Sequence, residues 1–183
     1  MRHKYVTSSF VLARTPLAES ATLVTLLTDE FGLIRARAEG LRKPGAKLAH
    51  ALQTLDRSEV TLVRGKEGWR LSGAILDAHW FEKLDRASRL RAGRIAGLLL
   101  RLVHGEANEP ALFDLFADFM RALSSLPEAS QDTLECVTAL RMLALLGLDA
   151  GPLPATDAYE PLSAEERRAM VTRINHGILA SGL

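Results

Sequence analysis

The hydrophobic repeat of this 183-residue chain changes near residue 80, and that change constrains the fold more than any other feature. Before it, short runs rich in Val, Leu, Ile and Thr are separated by turn residues, as in β-strands. After Trp80 the turn residues become sparse, and apolar residues recur about every 3.6 positions, as in amphipathic helices. The chain is therefore predicted to be an α+β protein with two domains, 1–80 and 81–183.

Five strands are predicted before the change, at 5–14, 21–28, 33–40, 58–64 and 69–77. In the first, Val6, Phe10 and Leu12 alternate with Tyr5, Thr7 and Ser9, which predicts two opposite faces. A short helix is predicted over Leu48–Leu55, and Gly65–Gly68 is a hairpin loop. Five strands with an extra element after the third are the order of an OB-fold, a partly open β-barrel that often binds single-stranded nucleic acid.

The second domain is predicted to be all-α. Its helices are expected over Glu82–Val103, from Pro110 to just before Pro127, over Leu134–Leu146 and from Ser163 to about Leu179. Asp132 with Glu135 and Ser163 with Glu166 have capping-box spacing, so each pair is expected at the start of a helix. The third helix is apolar on nearly all sides and should be central, and a Pro/Gly linker is expected near 149–162.

The run from Gly32 to Lys47 has the strongest functional signal. It has five cations within thirteen residues beside one acid, Glu39. Arg35 and Arg37 are two positions apart, so a strand would present both on one face while Ile34, Ala36 and Ala38 pack on the other. A solvated strand face explains the same pattern, but a phosphate backbone is the favoured ligand. The predicted DNA-binding residues are Arg35, Arg37, Arg42, Lys43 and Lys47, with Arg64, Lys66 and Arg70 as a second group.

Charge is divided unevenly along the chain. Residues 1–83 hold 13 Lys and Arg against 9 Asp and Glu, a net charge of +4, whereas residues 84–183 have a net charge of −3. Aromatic residues are few, which favours contact with the nucleic-acid backbone over base reading. The uneven charge predicts different partners for the two halves.

The first long helix has a cationic side of its own. Arg86, Arg89, Arg94 and Arg101 project away from its apolar stripe at helical spacing. This pattern is that of a solvated helix face, or of a surface that receives an acidic tail from a partner protein. The alternative function is therefore a non-catalytic interaction adaptor that binds such a tail through these four arginines and Arg141.

Neither catalysis nor a metal site is predicted. The chain lacks the Walker, dinucleotide-binding, zinc-protease and nucleophile-elbow motifs, and its five histidines lack metal-ligand spacing. Cys136 is the single cysteine, so it is expected to be a small buried hydrophobe in a reducing compartment. No apolar run approaches membrane-spanning length. A cytoplasmic protein without a cofactor is expected.

Several segments, in order along the chain, resemble the bacterial recombination mediator family RecO. They are Val11–Ser20, Leu26–Ile34, Gly40–Pro44, Leu52–Gln53, Val60–Leu71 and Leu140–Gly147. Two differences accompany the resemblance. Glu39, Gly45 and Ala46 stand where the family usually has basic residues and Ser, and the four cysteines of zinc-containing members are absent after Gly147.

The resemblance implies an N-terminal OB-fold, a C-terminal helical domain and no zinc module. It also implies a protein of DNA repair and homologous recombination that binds single- and double-stranded DNA and anneals complementary strands. Such a protein would work with RecR to load the RecA recombinase, and would bind the C-terminal tail of single-stranded-DNA-binding protein through the helical domain. It is expected to be non-catalytic, monomeric alone and associated with the nucleoid.

Overall fold

A computed structural model describes residues 3–17, 21–41, 47–106, 109–153 and 159–182. The described residues form two compact units. The first lies within Met1–Lys83 and His104–Phe113, and the second within Leu84–Val103 and Asp114–Leu183. The first unit contains the strands, and the second contains most of the helical residues.

Five strands form a closed barrel in the first unit. Their bounds are β1 Lys4–Pro16, β2 Ala21–Thr28, β3 Gly32–Glu39, β4 Arg57–Gly65 and β5 Gly68–Ala78. β1 pairs antiparallel with both β2 and β4, and β2–β3 and β4–β5 are also antiparallel. A parallel pairing of β3 with β5 closes the barrel. The predicted five-stranded OB-like barrel followed by helices is confirmed.

The barrel core is made by apolar side chains from all five strands. Members of the buried cluster include Val11, Val24, Ile34, Leu62 and Leu71. The predicted faces of β1 are wrong in part: Val6 is 51% exposed, whereas Thr7 and Ser9 are buried. The buried Ser9 hydroxyl donates a hydrogen bond to the Ser58 carbonyl (3.1 Å), which offsets the cost of burying it.

Phe10 lies outside that central cluster and packs against Phe113. Its ring centroid is 5.4 Å from that of Phe113, at the end of the 104–113 segment. The Arg57 guanidinium carbon lies 5.9 Å from the Phe10 ring centroid and 5.6 Å from that of Phe113.

The register of β1 with β2 shifts between Val11 and Ala13, which changes the alternation of faces there.

The connection from β3 to β4 contains less helix than predicted. Helix α1 spans only Lys47–His50, and turns follow it. Leu55 has a φ of 77°, unusual for a residue with a branched side chain, and Asp56 follows with its side chain fully buried. The Phe81 N–H donates to Asp56 Oδ1 (3.0 Å), and His79 Nδ1 lies 2.5 Å from Oδ2. Burial raises the pKa of Asp56 in spite of these hydrogen bonds.

The first predicted long helix is two helices, α2 Trp80–Lys83 and α3 Arg86–Leu102. They are separate because Asp85 is extended and caps the second, accepting a hydrogen bond from the Ser88 N–H (2.7 Å). Helix α4 spans Pro110–Ser125, close to the predicted bounds. Helix α6 spans Ala164–Ala180 and begins with the predicted capping box of Ser163 and Glu166.

Helix α5 spans Glu128–Leu145 and begins six residues before the predicted start at Leu134. The predicted capping box of Asp132 and Glu135 is therefore wrong, because Pro127 occupies the N-cap and both acids lie inside the helix. As predicted, this helix is buried on most sides. In the part of the chain that the structure describes, no helix is long and apolar enough to cross a membrane.

Candidate nucleic-acid interface

Strand β3 presents two of the predicted DNA-binding arginines in solvent. Its side chains alternate between buried and exposed along the strand. The buried set includes Ile34, Ala36 and Ala38, and the exposed set is Arg35, Arg37 and Glu39. This alternation confirms the predicted faces of the strand. The small apolar side chains pack into the barrel, so the guanidinium groups are held at its surface.

The β4–β5 hairpin brings the second group of predicted cations beside β3. Arg70 on β5 is the register partner of Arg37. Lys66 and Glu67 form the turn between the paired residues Gly65 and Gly68. Gly68 has a φ of 104°, a conformation that glycine adopts without the strain other residues incur. The tight turn therefore keeps its charged side chains next to the β3 arginines.

These strands and the turn border a groove of about 990 Å³. Among described residues, the charged lining side chains are five cations, Arg35, Arg37, Arg64, Lys66 and Arg70, and two acids, Glu39 and Glu67. The rest of the lining is Leu17, Leu23, Val63, Gly65, Gly68 and Trp69. An excess of positive charge in a concave surface with apolar walls attracts a polyanion.

Two of the five groove cations are engaged by carboxylates. Arg37 Nε donates to Glu39 Oε1 (2.7 Å), and both side chains are 46% exposed. Arg64 Nη1 donates to Glu106 Oε2 (2.5 Å), again with both partners nearly half exposed. Exposed ion pairs of this kind contribute about 0.2–1 kcal/mol, so a polyanion can compete for these arginines.

The other three groove cations, Arg35, Lys66 and Arg70, make no ion pair with any acid in the described ranges. All three side chains are exposed. Among the described residues they therefore have no carboxylate partner to lose on binding an external anion. Their charge is therefore the component of the groove most directly accessible to a phosphate.

Trp69 connects the Arg64–Glu106 ion pair to the barrel core. Its indole N–H donates to Glu106 Oε1 (3.1 Å), and the Arg64 guanidinium carbon lies 4.6 Å from the Trp69 ring centroid. The ring is nearly buried and packs against Tyr5 and Phe31, with centroid separations of 5.5 and 5.2 Å. Trp69 is therefore a packing residue whose indole N–H reaches the groove margin.

The structure does not describe the side chains of three predicted DNA-binding cations. Arg42 and Lys43 lie outside the described residues, as does the side chain of Lys47, whose backbone begins α1. Their role stays a prediction.

Comparison with known proteins supports the resemblance seen in the sequence. Residues 1–79 match the protein family model described as Recombination protein O N terminal. A DNA repair protein RecO from Acidovorax ebreus is 31% identical over 173 residues, which cover 89% of this chain and 65% of the relative. The chain is therefore similar to RecO proteins over most of its length. RecO proteins from Gloeobacter violaceus (29% over 163 residues; 88% and 62% covered) and Dehalococcoides mccartyi (30% over 136 residues; 72% and 51% covered) also match.

The chain spans less than two thirds of the length of each of these RecO relatives. The matching family model covers the barrel and ends at His79, the partner of the buried Asp56. The groove cations therefore all lie within the segment that carries the RecO N-terminal match.

The arginines predicted to bind a RecO partner's tail lie in several environments. Arg86, Arg89, Arg94 and Arg101 are on α3, and Arg141 is half-buried on α5. Arg94 forms two hydrogen bonds with Glu135, at 2.5 and 2.6 Å, and these raise its pKa. Arg89 Nε donates to the Asp85 carbonyl (3.3 Å). Arg94 is therefore engaged within the helical unit, whereas Arg86 is exposed at the first turn of α3.

A network of ion pairs continues from Arg94 across three helices of the second unit. Arg91 Nη1 donates to Glu135 (2.7 Å) and Asp132 (3.2 Å), and Arg167 Nε donates to Asp132 (2.8 Å). Partial burial would raise the pKa of Asp132, but the hydrogen bonds from Arg167 and Arg91 outweigh it and lower that pKa. Arg94 therefore belongs to a network of ion pairs that joins α3, α5 and α6.

The residue that sequence reasoning missed is Glu106. It is 42 positions from Arg64, and no local repeat or motif links them. Gly105 precedes it with a φ of 81°, so a turn at this glycine is the one local signal near it. Cys136, by contrast, is as expected: it is buried, and burial raises the pKa of its thiol to about 11.

Proposed function

We propose that this chain is a DNA repair and recombination mediator whose barrel binds single- and double-stranded DNA along the β3–β5 groove. The observation that carries the proposal is the convergence of Arg35, Arg37, Arg64, Lys66 and Arg70 on one groove. Three of these cations lack an internal ion pair in the described residues, and the other two are in exposed pairs. The RecO relatives are named as DNA repair proteins, which supports the same reading.

The mechanism is charge neutralisation without turnover. Binding releases counterions from the phosphates, so affinity should fall steeply with salt and depend little on base sequence. Two strands that each lose part of their charge repel one another less, which would favour annealing of complementary sequences. The scarcity of exposed aromatic side chains along the groove is consistent with contacts to the backbone.

Partners are proposed from the resemblance to RecO. A RecR-type protein would act with the chain in loading a recombinase, and the acidic tail of single-stranded-DNA-binding protein would bind the helical unit. Arg86 is exposed and is the proposed starting point for such a tail, whereas Arg94 must first leave Glu135. An acidic peptide titrated against the full chain and Arg86→Glu tests this part separately from DNA binding.

The proposed DNA binding is tested by a mobility-shift assay of single-stranded and duplex oligonucleotides across a salt series. The variant reverses charge at Arg35 and Arg37 together, and we expect roughly tenfold or greater loss of affinity at low salt. Both residues are exposed on the strand, so the barrel should remain folded.

The matched control is Arg86→Glu with Arg168→Glu, two exposed arginines of the second unit. It changes net charge equally without touching the groove, and should reduce affinity much less. Equal affinities for wild type and the folded groove variant would refute binding through β3.

A further inference from the structure

The Glu106 carboxylate accepts hydrogen bonds from two residues that line the groove. One oxygen accepts from Arg64 Nη1 (2.5 Å), and the other accepts from the Trp69 indole N–H (3.1 Å). The Arg64 guanidinium also lies over the Trp69 ring, with its central carbon 4.6 Å from the ring centroid, in a cation–π contact. Arg64 and Trp69 line the groove, whereas Glu106 reaches them from the 104–113 segment.

The same donors suit a phosphodiester. Guanidinium groups bind carboxylate and phosphate oxygens with similar geometry, and an indole N–H can donate to either anion. The Glu106 side chain is 45% exposed, so its contacts can exchange with solvent and with an external anion. The Trp69 N–H lies on a nearly buried ring, so an incoming phosphate would have to restore the hydrogen bond that Glu106 gives up.

Glu106 is not the only residue that attaches its segment to the barrel. The segment has a second attachment, in which Phe113 packs on Phe10 and lies under the Arg57 guanidinium. Loss of the Glu106 carboxylate should therefore leave the segment attached. A purely structural role for the Arg64–Glu106 pair would predict a change in stability, with no gain in DNA affinity.

We infer that Arg64 and Trp69 form a phosphate-binding position that Glu106 occupies in the free protein, so that a phosphate of bound single-stranded DNA displaces the Glu106 carboxylate. This inference rests on the proposed function, because it assigns one contact within the same groove. Glu106 thus competes with the ligand and sets the affinity of the groove below the value that its cations alone would give.

The test is fluorescence anisotropy of a labelled oligothymidylate with the full chain, comparing wild type with Glu106→Ala. We expect about two- to fivefold tighter binding, the gain from removing an exposed competing ion pair. The salt dependence should steepen by about 0.7 in log–log slope, as for one additional phosphate contact on a single strand.

Glu67→Ala is the matched control. Glu67 lines the groove itself and makes no ion pair with a described residue. If Glu106 acted only by general repulsion of DNA, removing Glu67 should increase DNA affinity at least as much as removing Glu106. A second comparison introduces Glu106→Ala into the Arg64→Ala background, where the gain should disappear because the released cation is missing.

The outcomes separate the inference from the proposed function. If wild type binds the oligonucleotide and Glu106→Ala binds no more tightly than Glu67→Ala, the inference is wrong and groove binding stands. A gain that persists without Arg64 would also overturn it. Binding seen only after Glu106→Ala would support it, whereas absence of binding in wild type and every variant would refute the groove function itself.

Discussion

Arg37 of β3 and Arg70 of β5 are register partners in the parallel pairing that closes the barrel. Both side chains are exposed and line the same groove. Like charges on adjacent strands disfavour folding, and the Glu39 carboxylate offsets part of this repulsion by pairing with Arg37. The pairing concentrates positive charge at a position where it contributes little to stability, which is the arrangement expected for binding an anion.

Substitution of Arg70 should therefore separate binding from folding. Arg70→Ala should weaken single-stranded DNA binding and reduce the log–log salt slope by about 0.7, because one phosphate contact is lost. The melting temperature should stay the same or rise, since a like-charge neighbour is removed. Anisotropy across a salt series and thermal unfolding measure the two effects.

Arg168→Ala, an exposed change in the second unit, is the control for the Arg70 experiment. An unchanged salt slope for Arg70→Ala would exclude a phosphate contact at Arg70.

Neighbouring positions on β3 should respond to the same substitution in opposite ways. Ala36 is fully buried, so Ala36→Asp places an unpaired carboxylate in the barrel core and should lower the unfolding free energy by about 3–5 kcal/mol. Arg35→Asp changes an exposed side chain and should leave stability nearly unchanged while weakening DNA binding. Urea unfolding and anisotropy on both variants provide the measurement, and equal stability of the two would contradict the observed alternation.

The stability of the helical unit should depend on Asp132 in a defined pH range. Its folded-state pKa lies below the ordinary value of 3.8, so the ionised carboxylate stabilises the fold above pH 3.8, and this contribution is lost as pH falls through the folded pKa. Asp132→Asn should lower the unfolding free energy near neutral pH by about 1 kcal/mol, and the difference from wild type should shrink in acid.

Urea unfolding of the full chain over a pH series checks the Asp132 prediction. Asp118→Asn is the control, because Asp118 and its partner Arg121 are both about two-thirds exposed and should contribute little. A wild-type advantage over Asp132→Asn that persists at acid pH would show that ionisation is not its source.

Local patterns were sufficient where one face of an element is buried and the other solvated. On β3, small apolar residues alternate with charged ones, and the structure follows that pattern from Ile34 to Glu39. On β1 the pattern failed: Thr7 and Ser9 are buried, and Val6 is left in solvent. A hydrogen bond between the neighbouring strands β1 and β4 satisfies the buried Ser9 hydroxyl there.

The predicted cap of α5 failed for a related reason. Asp132 and Glu135 have the spacing of a capping box, but they also have the spacing that places two acids on one side of a helix. Arginines on α3 and α6 contact them in that second role. The sequence contains both options, and packing of helices distant along the chain selects between them.

The sequence by itself determined the change from strands to helices and the face on which Arg35 and Arg37 lie, because both depend on periodicities of a few residues. Tertiary structure alone decided that Arg70 lies beside Arg37 and that Glu106 contacts Arg64. Arg37 and Arg70 are 33 positions apart, and Arg64 and Glu106 are 42 apart. The first contact depends on closure of the barrel and the second on the path of the chain after β5, and no local repeat encodes either.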